Sequence, residues 1–400
     1  MLQPFPFQSN LRDHFKGQNK TWQWFSEKKV QDEQRETYKT DLLKNTYRID
    51  QNTEPKLYEI LDTAKEKLGI TLPVTIYQFQ NIDTNNAGIV FFDDEAHIIL
   101  SGATLKLLDE KELLALMGHE LSHYILYKIE NGDFEVTQRI ITTIAADHAS
   151  EIFYFETSRL FQLYTELFCD LGALKVCEDL DVCINTLVKM NTGFEKVSAE
   201  SYLKQANEIL DRMNEGSIGV THPESFIRAK SLQLFQTDKE TYHEEVEKII
   251  TGKHDLLQLN LFSKQLVFDV TKSLVSIILK PNWVQSESVI ALYKLYFQVY
   301  DKNPDAFIDE KIKAEIAKSK TNLKEYYAYV MLDFALCDTD LKDGFIGHIL
   351  DISEQLELDE ALKTILKKEL KLTEKPFKAY CQLCTTTLNN ILESAQENTY

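Results

Sequence analysis

The residues best equipped for chemistry lie in one stretch, Leu113-Leu114-Ala115-Leu116-Met117-Gly118-His119-Glu120-Leu121-Ser122-His123. His119 and His123 stand at i and i+4, which on a helix puts both imidazoles on one face, where they can share one zinc ion. Glu120 falls at the edge of that face, where a carboxylate can polarise a water held by the metal. An HExxH string arises by accident in roughly 3 of 100 sequences of this composition, so its surroundings must support it. They do: Leu113, Leu114, Leu116, Met117, Ile125 and Leu126 make this a buried helix, and a bare His-Glu-His cluster inside a core is costly without a metal or other partners. A zinc peptidase also needs a third protein ligand and one position left for water. The downstream candidate is Glu166, in Tyr164-Thr165-Glu166-Leu167-Phe168-Cys169-Asp170. Asp170 follows one turn later on the same face. There a carboxylate can accept the other ring N–H of a ligating histidine and fix its tautomer.

These groups need elements to hold them. Leu57, Ile60, Leu61, Ala64 and Leu68 recur at helical spacing and end at Gly69, which predicts a helix over 54–68. Alternation predicts strands over 74–80, 87–92 and 96–100, a sheet of three strands at most. Asp109 is a natural N-cap, with Glu110 and Glu112 favourable in the first turn of a helix reaching about residue 130. Residues 134–176 read as one very long helix or two in series, and 198–213 and 225–235 as further helices around a Thr221-His222-Pro223 loop. The rest, to residue 400, is helical and holds no constellation of comparable quality.

With 13 Gly and 8 Pro in 400 residues, an all-β, turn-rich fold is excluded. A hydrophobic fraction of 44% supplies a sizeable core and excludes disorder as the main state. The formal charge of −19 repels phosphate backbones and anionic lipid, which argues against nucleic-acid and membrane-surface partners. No run matches a membrane span, since 266–279 is cut by Asp269 and Lys272. Residues 1–15 carry Pro and charge where a secretory core would sit. The six cysteines show no framework spacing, and Cys381-Gln382-Leu383-Cys384 has no partner pair. Reduced thiols in a cytoplasmic protein are expected.

HELSH at 119–123, the upstream strand Ile98-Ile99-Leu100-Ser101-Gly102, ExxxD at 166–170 and Thr221-His222-Pro223 together resemble the zinc metallopeptidase family of HtpX and the CAAX prenyl proteases, an HExxH…ExxxD gluzincin group. The similarity covers roughly residues 40–235. It implies that His119, His123 and Glu166 hold one Zn2+ per chain, that Glu120 is the general base and that Asp170 orients a ligand histidine. It further implies that His222 helps stabilise the tetrahedral oxyanion, or that Arg228, on the next helix, locks the loop by an ion pair. In related enzymes an edge strand holds the peptide by strand addition, a role that falls here to Asn86, Ala87 and Gly88.

The expected fold is therefore mainly α with a small β-sheet (α+β). An N-terminal helical segment, 1–50, packs on a zincin-like metallopeptidase domain, 51–237, and a helical C-terminal domain of unknown role, 238–400, follows. The expected activity is that of a soluble zinc metalloendopeptidase acting on peptides or unfolded protein, without nucleic acid or membrane insertion. A protein partner can dock through the C-terminal helices. The alternative is a helical peptide-binding or chaperone-like module whose peptidase site is latent or inactive.

Overall fold

The computed structural model describes residues 2–27, 32–80, 84–147, 149–213, 215–301 and 303–397, and the chain divides after Gly252 into two compact units. In the first unit, helices α1 (Pro6–Gly17), α2 (Asn19–Glu27) and α3 (Asp32–Asn45) lead into strand β1 (Thr46–Arg48). Helix α4 (Pro55–Leu68) precedes strands β2 (Val74–Phe79), β3 (Asn86–Phe91) and β4 (Ala96–Ser101). Then come the short α5 (Thr104–Leu107), α6 (Glu110–Lys128), α7 (Asp133–Ala146), α8 (Ile152–Cys177), α9 (Leu180–Thr192), α10 (Ala199–Leu210), α11 (Ser225–Thr237) and α12 (Tyr242–Thr251). The fold is mainly α with a small mixed sheet, as the sequence predicts.

The sheet has four strands in the order β1-β2-β4-β3, not three. β2 and β4 run parallel, while β1 and β3 flank them antiparallel. The added strand, β1, is three residues long with Tyr47 and Arg48 exposed, so it shows no apolar alternation. β3 bonds to β4 along one side, with Gly88 opposite Ile99, and its other side is a sheet edge. Ile76, Ile98 and Leu100 are fully buried and pack with Leu61 and Ala64 of α4 and Met117 and Leu121 of α6. Burial of this apolar layer fixes the height of α6 beneath the sheet.

Local signals set the ends of α6. The Asp109 carboxylate accepts from the backbone N–H groups of Lys111 (2.9 Å) and Glu112 (3.0 Å), and the Glu112 carboxylate accepts from the Asp109 N–H (2.9 Å). This reciprocal capping box satisfies donors that a helix start leaves open. Glu112 is buried and pairs with Lys189 Nζ at 2.8 Å, tying α6 to α9. The stretch expected as one or two helices is two, α7 and α8, parted after Ala146. α6 and α8 cross closely because two glycines face the crossing. A Cβ on Gly172 would lie 1.7 Å from Ser122 Oγ, and one on Gly118 would lie 2.9 Å from Val176 Cβ. α1 packs on α7 and α8, with fully buried Gln8 donating its amide N–H to Thr165 Oγ1 at 3.2 Å.

The first unit extends past Thr237 to Gly252 because α12 folds back on α11, where buried Tyr242 and Ser231 share a 3.0 Å hydroxyl bond. The second unit is helical: α13 (Leu261–Ile278), α14 (Glu287–Phe297), α15 (Glu310–Ala317), α16 (Thr321–Leu336), α17 (Lys342–Gln355), α18 (Asp359–Glu369) and α19 (Glu374–Glu397). Its core gathers Leu274, Ile278, Leu323, Met331, Phe334, Phe345 and Leu362.

Candidate metal centre

α6 carries His119, Glu120 and His123, and α8, packed across it, carries Glu166 and Asp170. α11 adds Arg228, and the loop before α11 adds His222. The fold thus gathers seven of the sequence-derived site residues around one cleft of about 580 Å³, which Asn86, Ala87 and Gly88 of β3 also line. Gly88 leaves this wall open, since a Cβ there would meet no atom within 4 Å.

His119 Nε2 lies 3.4 Å from Glu166 Oε2, and His123 Nε2 lies 3.7 Å from Glu166 Oε1. Glu166 Oε2 is buried and has no hydrogen-bond partner among the described residues, although His222 Nε2 at 3.4 Å and Arg228 Nη2 at 3.8 Å also face it. An anionic oxygen left so is costly. These separations are long for hydrogen bonds. The 3.4 Å between His119 Nε2 and Glu166 Oε2 falls within the roughly 3.3–3.6 Å between ligands of a tetrahedral ion bound at about 2.0–2.2 Å, and the 3.7 Å to His123 Nε2 lies just beyond it. Two imidazoles and a carboxylate are also the donor set that zinc takes, so the residues present fit a zinc ion.

Behind the donors, His119 Nδ1 faces Asp170 Oδ1 at 3.0 Å. Nδ1–H donating to the carboxylate turns the Nε2 lone pair toward Glu166 and His123. Asp170 is itself held by a two-pronged bond from Arg228, Nε to Oδ2 at 2.8 Å and Nη2 to Oδ1 at 2.6 Å. Such forks suit a buried carboxylate.

Burial by itself lowers the pKa of His119, but Asp170 and Glu166 reverse this and push it up to about 10. Burial raises Glu166, yet His119, His123 and Arg228 outweigh it and hold the carboxyl well below the usual range. His123 is driven down to about 4, and Glu120 up to about 7, chiefly by burial. The anionic pair therefore draws a positive charge to its centre. A proton on His119 supplies that charge, and a dication held by neutral His119, His123 and Glu166 would supply it instead.

The structure adds residues that the sequence reading passed over. Cys169 Sγ lies within 4.8 Å of ring nitrogens of both His119 and His123. Its position three residues after Glu166 on α8 was the available signal. Burial pushes its thiol well up, and the nearby carboxylates push it further. Without a metal its thiol is therefore held neutral, while Glu166 is held anionic. Arg159, seven residues before Glu166 on the same helix, is the second addition. Its Nη1 donates to the carbonyls of Ser217 (3.1 Å) and Gly219 (2.6 Å), while Glu156 accepts from its Nε and Nη2 at 2.7 Å each. Glu224 completes the clamp, accepting from Ser217 Oγ (2.6 Å) and the Ile218 N–H (2.9 Å). Gly219 has no room for a side chain, because a Cβ would lie 2.0 Å from the His222 carbonyl oxygen. The loop carrying His222 is thus held by Arg159 and Glu224, while the ion pair of Arg228 is made with Asp170 on α8.

Residues 51–235 match the profile of peptidase family M48. This segment is similar to that peptidase family. It contains all of the residues described around the cleft, and the match bears out the resemblance to the HtpX and CAAX protease family. The plastoglobule-localized metallopeptidase 48, chloroplastic, of Arabidopsis thaliana is 25% identical over 203 residues, covering 46% of this chain and 58% of that protein. The chain thus spans a little over half the length of this relative. No solved structure matches. Among the described residues no helix is long and apolar enough to cross a membrane.

Proposed function

We propose that this protein is a zinc-dependent metalloendopeptidase that hydrolyses peptide bonds in extended or unfolded polypeptides. The observation that carries this reading is the buried Glu166 oxygen without a hydrogen-bond partner, facing His119 Nε2 at ligand-to-ligand rather than hydrogen-bond distance. His119, His123 and Glu166 would hold one zinc per chain, and Asp170, anchored by Arg228, would fix the His119 tautomer. Zinc bound there supplies a Lewis acid that acidifies water and polarises a carbonyl.

The chain's own groups would do the rest. The free edge of β3 receives the peptide as an added strand, and main-chain bonds along Asn86, Ala87 and Gly88 give affinity with limited side-chain selectivity. Glu120 takes the proton of the attacking water and returns it to the leaving amine. Its buried carboxyl, with a pKa near 7, can both accept and release that proton at neutral pH. His222 Nδ1 lies 2.9 Å from Thr221 Oγ1. A hydroxyl donating there leaves the ring proton on Nε2, which faces Glu166 and can donate to the oxyanion of the tetrahedral intermediate.

Digestion of unfolded casein by wild type and Glu120→Gln, each assayed for zinc, tests the reading. Cleavage by wild type, and a loss of about 10²–10⁴-fold in the variant with zinc retained, is the expected result. Zinc-loaded wild type that binds casein without cutting it would overturn the endopeptidase reading and leave a peptide-binding module.

A further inference from the structure

Outside the metal centre, two thiols lie closer together than packing requires. Cys177 Sγ and Cys183 Sγ are 3.0 Å apart, and both cysteines are free. Cys177 ends α8, and Cys183 sits in the first turns of α9. The turn between them is built rather than loose. Glu178 caps α8 in the left-handed conformation (φ 59°), and the Asp179 carboxylate accepts from the N–H groups of Asp181 (3.1 Å) and Val182 (3.3 Å) to cap α9. Lys67 Nζ reaches across from α4 to the Val176 carbonyl (2.7 Å) and the Glu178 carboxylate (2.8 Å), pinning the end of α8. Two fixed helix ends therefore hold the sulfurs, which stand about 1 Å beyond the roughly 2.0 Å of a covalent S–S bond. Cys177 is half-buried and Cys183 is buried. Cys183 also lines the cleft that holds His119 and Glu120.

We propose that Cys177 and Cys183 are a reversible redox modification site, closing to an intramolecular disulfide by exchange with a small-molecule disulfide of the oxidised-glutathione class. The Cys177 thiolate, the accessible member, attacks one sulfur of oxidised glutathione, forming a mixed disulfide and releasing one glutathione thiolate. Cys183 then gives up its proton to solvent and attacks the Cys177 sulfur, forming the Cys177–Cys183 bond and releasing the second glutathione thiolate. The protein loses two electrons and two protons, and one oxidised glutathione becomes two reduced ones. The contact with Cys183 lowers the pKa of Cys177, while the contact with Cys177 and burial raise that of Cys183. These directions suit attacker and resolver in that order. The bond would tie the end of α8, the helix of Glu166 and Asp170, to α9, whose Thr186, Leu187 and Met190 line the cleft. The site stands independently of whether the metal centre cuts peptides.

The test is to equilibrate the full chain with increasing ratios of oxidised to reduced glutathione, alkylate the remaining thiols and digest for mass spectrometry. A Cys177–Cys183 linked peptide should form, about tenfold more abundant than any other cysteine link, while Cys169, Cys337, Cys381 and Cys384 stay alkylated. Cys183→Ser should leave glutathione trapped on Cys177, and Cys177→Ser should leave Cys183 unmodified. Circular dichroism checks that both variants fold, and the wild-type digest decides the matter without them. Cys177 and Cys183 remaining alkylated at ratios that oxidise the other cysteines, or carrying glutathione separately without a link, would overturn the proposal.

Discussion

The two units bury different things. In the second, the buried polar residues among those described are Ser263, Thr271, Ser319 and Ser353, all hydroxyls that need no external partner. Thr271 bonds the Val267 carbonyl at 2.7 Å and Ser353 the Leu350 carbonyl at 2.8 Å, within their own helices. The first unit buries Glu112, Glu120, Glu166, Asp170 and His97. Ionised groups at such depth cost several kcal/mol each unless they are paired or hold an ion. Glu112 is answered by Lys189 and Asp170 by Arg228, while Glu166 Oε2 is left without a hydrogen bond. A core that needs only to be stable can be built as the second unit is. The first unit carries buried charge, and Glu120, Glu166 and Asp170 of it line the cleft.

Substitutions in each unit test this contrast. The largest effect should come from Arg228→Met, which strands Asp170 in the interior. Denaturant unfolding of the first unit should lose about 3–5 kcal/mol. Asp170→Asn keeps the shape but removes the acceptor charge behind His119, and zinc affinity measured by chelator competition should fall about 10–100-fold. Arg159→Ala frees the loop of His222 without touching the donors. Here kcat on casein should drop about tenfold with zinc content unchanged. Arg159→Lys should restore only part of the rate, because a single ammonium does not reproduce the fork between Glu156 and the two carbonyls.

The smallest effect belongs to the second unit and to pH. His348 Nε2–H donates to the Ile278 carbonyl at 3.1 Å. Its pKa is lowered by burial, only partly offset by that bond and Asp351. Above about pH 6.5 the residue is neutral folded or unfolded, and nothing is lost. As pH falls below that value the unfolded chain takes up a proton that the folded unit refuses, so stability declines. His348→Phe should flatten the fall in melting temperature between about pH 7 and 5. A slope unchanged by the substitution would contradict this assignment.

What the sequence disclosed followed from what is local. His119, Glu120 and His123 share one helical turn, and Glu166 and Asp170 share another, so periodicity alone puts each set on one face. The Asp109 cap and the three longer strands were equally visible as short-range signals. β1 was not, because three residues with two exposed side chains carry no alternation. Arg159 was missed because its partners are the backbone carbonyls of Ser217 and Gly219, which no side-chain pattern announces. The approach of α6 to α8 rests on Gly118 and Gly172, whose significance shows only once the helices cross. Cysteine spacing was silent in a similar way. It offered Cys381 and Cys384 only as a CxxC without a partner pair and gave no sign of Cys177 and Cys183, which a helix-to-helix turn brings together.

Whether His119, His123 and Glu166 form a zinc site is decided by metal analysis of purified wild type beside His119→Ala and Glu166→Gln. About one zinc per wild-type chain and loss of the ion in both variants is the expected result, with circular dichroism showing each still folded. Folded wild type that takes up no zinc when the metal is added back, or variants that retain it fully, would contradict the account.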